Sequence, residues 1–386
     1  MAKLSFDAII VGGGIIGRLT AWLMTKYGEE TLLLEQHTLN KSMGSSRGSS
    51  RIYGETHIDK IYFELARQSR SLWQELEHET GRRLLYLNGG LDIFAGSDAK
   101  KNIDNLVHIL RSRGSLFEIF DGHHLKQRYP QWQCSPNTYA IFSPDSGILQ
   151  AEHCMNAATV VAKNHKALFR EQLRVVKISP SHAKTIQVKT STGETYYTQK
   201  LVLAAGPWMP SILKRLGINI PLQLSQVQIV YFKPRYNLDR FLPENFPVWE
   251  WVGRRFVYGF PIFESQGLKV SFHDDGRDLR SLREFRRTPN ADITAHLRSF
   301  LNKHIPNAAG EAFGASTCLY TSTPDNDFVV DTIPQFPQIA YFTGCSGHAF
   351  HCAPALAQTL AELVIYGKTT LDISRFRLNR FKSRAL

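Results

Sequence analysis

The residues with the clearest chemical meaning stand near the start of the chain. Gly12, Gly14 and Gly17 fall in G-x-G-x-x-G spacing directly after an apolar, β-branched run at 8–11. In such a unit the first glycine permits a tight turn and the second lets a pyrophosphate approach the backbone. The third allows a helix to pack closely on the strand. The helix expected over 18–27 would add free N–H groups and a positive dipole end. A second apolar run, 31–34, ends in Glu35, at the distance where a carboxylate accepts hydrogen bonds from a ribose. An acidic residue there favours FAD or NAD over NADP. The spacing alone also describes an ordinary glycine-rich turn. Strand, helix, second strand and terminal acid in register argue for dinucleotide binding instead.

Other reactive side chains are ambiguous by themselves. The polar stretch 40–51, NKSMGSSRGSSR, reads as a surface loop. It reads equally as a loop over the cofactor, with hydroxyls, backbone N–H groups, Arg47 and Arg51 directed at phosphates or a ring. Cys318 alone is most simply a small buried hydrophobe. Lys269, between Leu268 and Val270, is most simply a strand residue facing solvent, and Tyr258 and His273 are satisfied core residues.

The elements that must position these groups alternate between helix and strand. Apolar residues at helical spacing predict helices over 62–77, 102–113, 151–164 and 355–366, the last terminated by Gly367. Thr288, Pro289 and Asn290 cap a helix carrying Ile293, Leu297, Phe300 and Leu301 on one face. Strands are expected at 172–178, 185–188, 194–198, 200–205, 223–232, 255–263, 267–272, 328–331 and 339–343. The stretch 84–94 reads as two short strands about the Asn88–Gly90 turn, and 139–149 as a strand and turn. The expectation is an α/β protein. A discontinuous Rossmann-like dinucleotide-binding domain takes in 1–83, 149–217 and 310–386, and a sheet-rich α+β substrate domain takes in 84–148 and 218–309.

A chain of 386 residues suits two or three domains. No apolar run reaches the ~18 residues of a membrane span, and the opening run has no leader-like end. The five cysteines form no C-x-x-C pair, which points to a reducing, cytoplasmic setting without a disulfide framework; no metal site is expected. The net charge of +12 is spread along the chain, denser only at 277–287 and 375–384. Solvated faces and attraction for anionic ligands account for it better than nucleic acid or a membrane surface.

Taken together, the residues resemble the monomeric sarcosine oxidase and N-methyltryptophan oxidase family of flavoproteins, within the glycine oxidase and D-amino-acid oxidase fold. The resemblance runs nearly the whole length in order. It rests on the opening unit, GSSRGSSRI (44–52), SLWQELEHET (71–80), VLAAGPW (202–208), YGFPIFESQGLKVSFH (258–273), CLYTSTPDNDFVVD (318–331) and GCSGHAF (344–350). It implies FAD as cofactor, a small amine or amino acid as substrate, oxygen as electron acceptor with hydrogen peroxide formed, and a monomer. Cys318 takes the place of the cysteine that bonds covalently to the flavin, with Tyr320, Pro324 and Asp325 matching around it. Lys269 takes the place of the lysine that helps oxygen accept an electron. His273 and Tyr258 would line the substrate cavity. Ser50, Arg51, Val175, Ala205, Gly344 and Gly347 complete the expected cofactor-binding set.

The chain departs from that family at the carboxylate clamp. Tyr53 and Gly54 follow Arg51–Ile52 where an arginine is expected, with about a residue missing. His351 replaces a lysine after the G-H-x-F turn. Glycine cannot supply a bidentate contact to a carboxylate, so sarcosine itself is disfavoured. Arg51, Arg254, Arg255 or a protonated His351 are the alternative anchors. The expected activity is an FAD-dependent oxidation of a C–N bond, with His351 among the catalytic residues. Oxidation of a 2-hydroxy acid with a non-oxygen acceptor, and a non-catalytic flavoprotein, are the competing readings.

Overall fold

The computed structural model describes residues 4–39, 43–181 and 184–384; Asn40, Lys41 and Ser42 of the polar loop lie outside them. Two large sheets and one small sheet make up the architecture. In the first, Ser5–Val11 is the central strand. It pairs in parallel with Thr31–Leu34 on one side and with Thr195–Leu203 on the other. Thr31–Leu34 pairs onward with Leu168–Arg170, and Thr195–Leu203 with Phe336–Thr343, also in parallel. Ala8, Ile9 and Ile10 are fully buried, because a parallel strand is covered on both faces; hence the unbroken apolar run. Helices Ile15–Lys26, Lys60–Thr80, Ala151–Asn164 and Ala353–Tyr366 pack in one core on one side. The antiparallel pair Val175–Pro180 and Ile186–Thr190 borders a second core on the other. This is a Rossmann-like layer.

The second sheet has nine strands. Its order is Arg277–Leu279, Gln223–Phe232, Leu268–Phe272, Phe256–Ile262, Val248–Val252, Gly90–Phe94, Tyr139–Ser143 and Glu118–Asp121, with Ala312–Ser322 paired along Gln223–Phe232. One face closes an aromatic core. In the sequence Trp249-Glu250-Trp251 both indoles turn inward, onto Trp132 at 5.2 and 5.7 Å and Phe300 at 6.0 and 5.6 Å. Alternation then sends Glu250 to the opposite face. The small sheet, Ser50–Tyr53, Gly147–Gln150 and Leu85–Tyr86, lies on the path between the two large ones.

Several expectations need correction. The first helix starts at Ile15, capped by Gly14, so Gly17 lies inside it. Strands expected at 194–198 and 200–205 are one, Thr195–Leu203; Lys200 stays in the strand because its ammonium pairs with Glu29 at 2.7 Å. The pair about Asn88–Gly90 is no hairpin, since Leu85–Tyr86 and Gly90–Phe94 join different sheets. The strand Ala312–Ser322 belongs to the second sheet, so the return to the first sheet expected at residue 310 comes only after Ser322. Its small and polar residues hid it.

The basic run after residue 375 is not a solvated face. Arg375 pairs with Asp327 at 2.7 Å and with Asp59, Arg377 with Asp331 at 2.6 Å, and Arg380 with Asp325 at 2.9 Å. Asp327 also accepts the Tyr62 hydroxyl at 2.9 Å. The C-terminal segment is thereby fastened beside Val329–Ile333. Asp327→Ala removes two of these contacts and strands a buried tyrosine hydroxyl. It should lower stability by roughly 1–3 kcal/mol in urea denaturation.

Candidate functional site

One cavity of about 1180 Å³ runs from Gly12–Gly14 and Glu35, past the 43–51 loop, to the inward face of the second sheet. This exceeds the roughly 300–1,000 Å³ of an ordinary small-molecule pocket. At the first end the glycines have separate reasons. Gly12 has φ +113°, and a Cβ there would lie 2.4 Å from the Ala204 carbonyl oxygen. A Cβ on Gly17 would lie 1.9 Å from the Gly12 oxygen. Both positions are fixed by the protein's own packing. Gly14 differs: the nearest atom to its Cβ would be Ser46 Oγ at 3.4 Å, so the protein leaves that side open to the cavity.

Glu35 accepts the Gly13 N–H at 2.6 Å through one oxygen and the His37 N–H at 2.8 Å through the other. Each oxygen keeps a lone pair for a pair of hydroxyls. Arg18, which the sequence reading left without a role, is 2 % exposed. It donates to the carbonyls of Gly13, Met155 and Leu39. Burial lowers its pKa to about 10, opposed by Glu35 and Glu171. Val175 and Ala205 line the same end. An open glycine turn at a helix N-terminus, a two-faced carboxylate and a long cavity fit an adenine dinucleotide.

The other end is organised by strand register. Residues directly paired across a sheet share a face. Asp92 pairs with Glu250, Glu250 with Tyr258, Tyr258 with Ser271 and Ser271 with Ile229. Lys269 and His273 lie two residues either side of Ser271. Cys318 and Tyr320 follow at the same spacing from Ser316, the partner of Ile229. One face of one sheet therefore carries Asp92, Glu250, Tyr258, Lys269, His273, Cys318 and Tyr320, all of which line the cavity.

Lys269 is 4 % exposed, not facing solvent. Its ammonium donates to the Ser50 carbonyl at 2.7 Å and hydroxyl at 3.1 Å, and lies 4.3 Å from the Phe260 ring centre. Burial, then Arg51, push its pKa well below the ordinary lysine value. Burial pushes the Cys318 thiol up, while Arg51 and Lys269 pull it down. Tyr258 and Tyr320 hydrogen-bond through their hydroxyls. Burial lowers His273, opposed by Asp274. Gly347 makes room for this group: a Cβ there would lie 2.5 Å from Tyr320 and 2.9 Å from His273. A Cβ on Gly344 would meet Thr323 at 2.8 Å.

The alternative carboxylate anchors differ in what they have left to offer: Arg51 lines the cavity and gives three of its five N–H groups to the protein. Arg51 donates to the carbonyls of Ser50, Ser45 and Arg47. Arg255 pairs with Asp275 at 2.8 Å; neither it nor Arg254 lines the cavity. His351 is not protonated: burial, then His57 and His348, push its pKa well below the ordinary histidine value. Its ring lies 5.2 Å from that of His57. The sequence reading passed over His57, His348, Asp92 and Glu250, all of which line the cavity. The signal for the acids was available: a carboxylate in the apolar run Leu91-Asp92-Ile93, and another between two tryptophans.

The profile of the FAD dependent oxidoreductase (DAO) family matches residues 7–363. Peroxisomal sarcosine oxidase of Homo sapiens is 30% identical over 98% of this chain and 97% of its own length. Monomeric sarcosine oxidase of Bacillus sp. (strain NS-129) is 32% identical over 97% of each. Among solved structures, L-proline dehydrogenase from P. horikoshii superposes with a TM-score of 0.86 at 22% identity, covering 99% of both chains. Glycine oxidase from Geobacillus kaustophilus gives 0.83 at 19%, covering 98% of this chain and 99% of its own; these two share the fold.

The two glycines separate cofactor uptake from folding. Gly14→Val should give a folded protein, by circular dichroism, whose bound FAD absorbance falls at least ~tenfold. Gly17→Ala should cost roughly 3 kcal/mol or more in stability before any cofactor is added.

Proposed function

As the chain belongs to the FAD dependent oxidoreductase family and is an enzyme of the type that acts on CH–NH donors, we propose that it oxidises the C–N bond of a small amine, with oxygen as acceptor. The observation that carries this reading is the register row. It sets Tyr258, Lys269, His273 and Cys318 on one wall of the cavity that begins at the dinucleotide turn. FAD, held by the residues named below, would supply a two-electron acceptor for the substrate's α-hydrogen, with oxygen as the terminal acceptor reduced to hydrogen peroxide.

The protein's own groups have distinct parts. Gly12, Gly14, Glu35, Val175 and Ala205 hold the adenine and pyrophosphate end, while Gly17, packed against Gly12 and off the cavity lining, serves the turn itself. Ser50, Arg51 and Gly347 border the reactive end; Gly344, packed against Thr323, is off the cavity lining. Cys318 supplies the covalent tether. Burial raises its thiol above the ordinary cysteine value, and Arg51 and Lys269 offset part of that rise. Tyr258 orients the amine through its hydroxyl, and the neutral ring of His273 accepts its proton. Lys269 places a positive charge in a water-poor wall, where negative charge developing on oxygen gains most from it. His351 shapes the pocket as a neutral ring. Sarcosine is not the substrate, because the clamp for its carboxylate is absent from both expected positions.

Anaerobic bleaching of the flavin by a panel of N-methyl, cyclic and primary amines tests the reaction. Bleaching by at least one is expected, and failure of all would overturn it. On acid precipitation the yellow colour should stay with the pellet in the wild type and move to the supernatant in Cys318→Ser. Lys269→Met should slow reoxidation by air at least ~100-fold while sparing reduction. Because the oxygen step needs the ammonium, its rate should fall as pH rises through Lys269's lowered pKa, below the range of an ordinary lysine. Stopped-flow reoxidation of Lys269→Met should lack that fall.

A further inference from the structure

We infer that the substrate carries a second, protonated nitrogen and no carboxylate, and that Asp92 and Glu250 bind that nitrogen. The inference rests on amine oxidation as the reaction and names its substrate class.

The first support is position. Asp92 and Glu250 are direct partners on neighbouring parallel strands, and Glu250 is the direct partner of Tyr258. With strands about 4.8 Å apart, the two carboxyls stand roughly 5 and 10 Å along the row from Tyr258. Both line the cavity. Among the described residues no lysine or arginine pairs with either; Asp92 takes a hydrogen bond from Thr56. Burial raises Asp92 to about 6. Burial and the neighbouring Asp92 raise Glu250 to about 8. Near neutral pH the pair therefore holds one proton and one negative charge, which a cation would stabilise.

The second support is the histidine wall. His348 Nδ1 lies 2.9 Å from the Ser346 carbonyl. The backbones of Gly54 and Ile52 hydrogen-bond the rings of His57 and His351. Burial holds all three rings neutral: His57 and His348 fall to about 4 and His351 falls well below the ordinary value. The tautomers follow from this network: a neutral ring that gives its one N–H to a carbonyl keeps the other nitrogen as an acceptor. His351 is 8 % exposed and lines the cavity, and its Nε2 has no partner among the described residues; nor has Nε2 of His57.

The third support is what the donors are doing. Arg51 is committed to three carbonyls and Lys269 to Ser50. A carboxylate meets acceptors and negative charge on this wall, which repel it. An ammonium meets groups that all accept its N–H bonds.

The test uses the anaerobic holoenzyme with 1,4-diaminobutane, 1-aminobutane and N-methylglycine. Binding is read by calorimetry and bleaching is recorded in the same samples. The diamine should bind at least ~tenfold more tightly than the other two, as expected for a hydrogen-bonded charge pair. That preference should collapse in both Asp92→Asn and Glu250→Gln, each compared as a ratio so that a general loss of folded protein cancels. Equal binding of monoamine and diamine, or a preference that survives both substitutions, would overturn the inference. Diamine preference without bleaching would uphold the acid pair and sink amine oxidation. Bleaching by all three without preference would do the reverse.

Discussion

The hydrogen bonds from Lys269 to Ser50 join the second sheet to the small sheet deep inside the protein. An ammonium buried without a carboxylate is costly. It persists here because a carbonyl, a hydroxyl and the Phe260 ring replace its water. The same Ser50 carbonyl takes a second cation, Arg51, whose other bonds fix the loop residues Ser45 and Arg47. One peptide oxygen thus sets the distance between the cofactor loop and the chemistry-bearing sheet. It also explains why two cations stand close to the Cys318 thiol and offset part of the rise that burial imposes on it.

The cavity is consequently polarised. Its reactive end is cationic, with Arg51 and Lys269 beside Cys318. Its far wall is neutral or negative, with Asp92, Glu250 and three unprotonated imidazoles. Local burial, more than net charge, produces this division: the chain as a whole is strongly basic, yet among the described residues no lysine or arginine pairs with Asp92 or Glu250.

The Rossmann-like unit was legible because each of its features is local: a run, a turn and a terminal acid within thirty residues. Helix 151–164 and strand 223–232 were read to the residue for similar reasons, clear periodicity and sharp ends. The strand carrying Cys318 was not, because Ala312–Ser322 is held by partners ninety residues away and has little apolar pattern of its own. The placement of Lys269 was likewise hidden. Alternation says that it faces away from Leu268 and Val270, but only the second layer makes that face an interior. The acid pair escaped notice because Asp92 and Glu250 are neighbours only through a parallel pairing 158 residues apart in sequence. The family resemblance supplied Cys318 and Lys269 but named neither acid.

The inward-turned indoles of Trp249 and Trp251 carry a consequence for how such a pocket is inherited. They are packed on Trp132 and Phe300 in the aromatic core. A slip of one residue would expose both indoles and drive Glu250 into the aromatic core. Recognition of the ligand is therefore proofread by the hydrophobic interior during folding: a chain that mispairs this strand loses its fold together with its selectivity. Changing the residue between the tryptophans, by contrast, costs the interior almost nothing. That position is free to drift toward new ligands while the frame around it stays fixed.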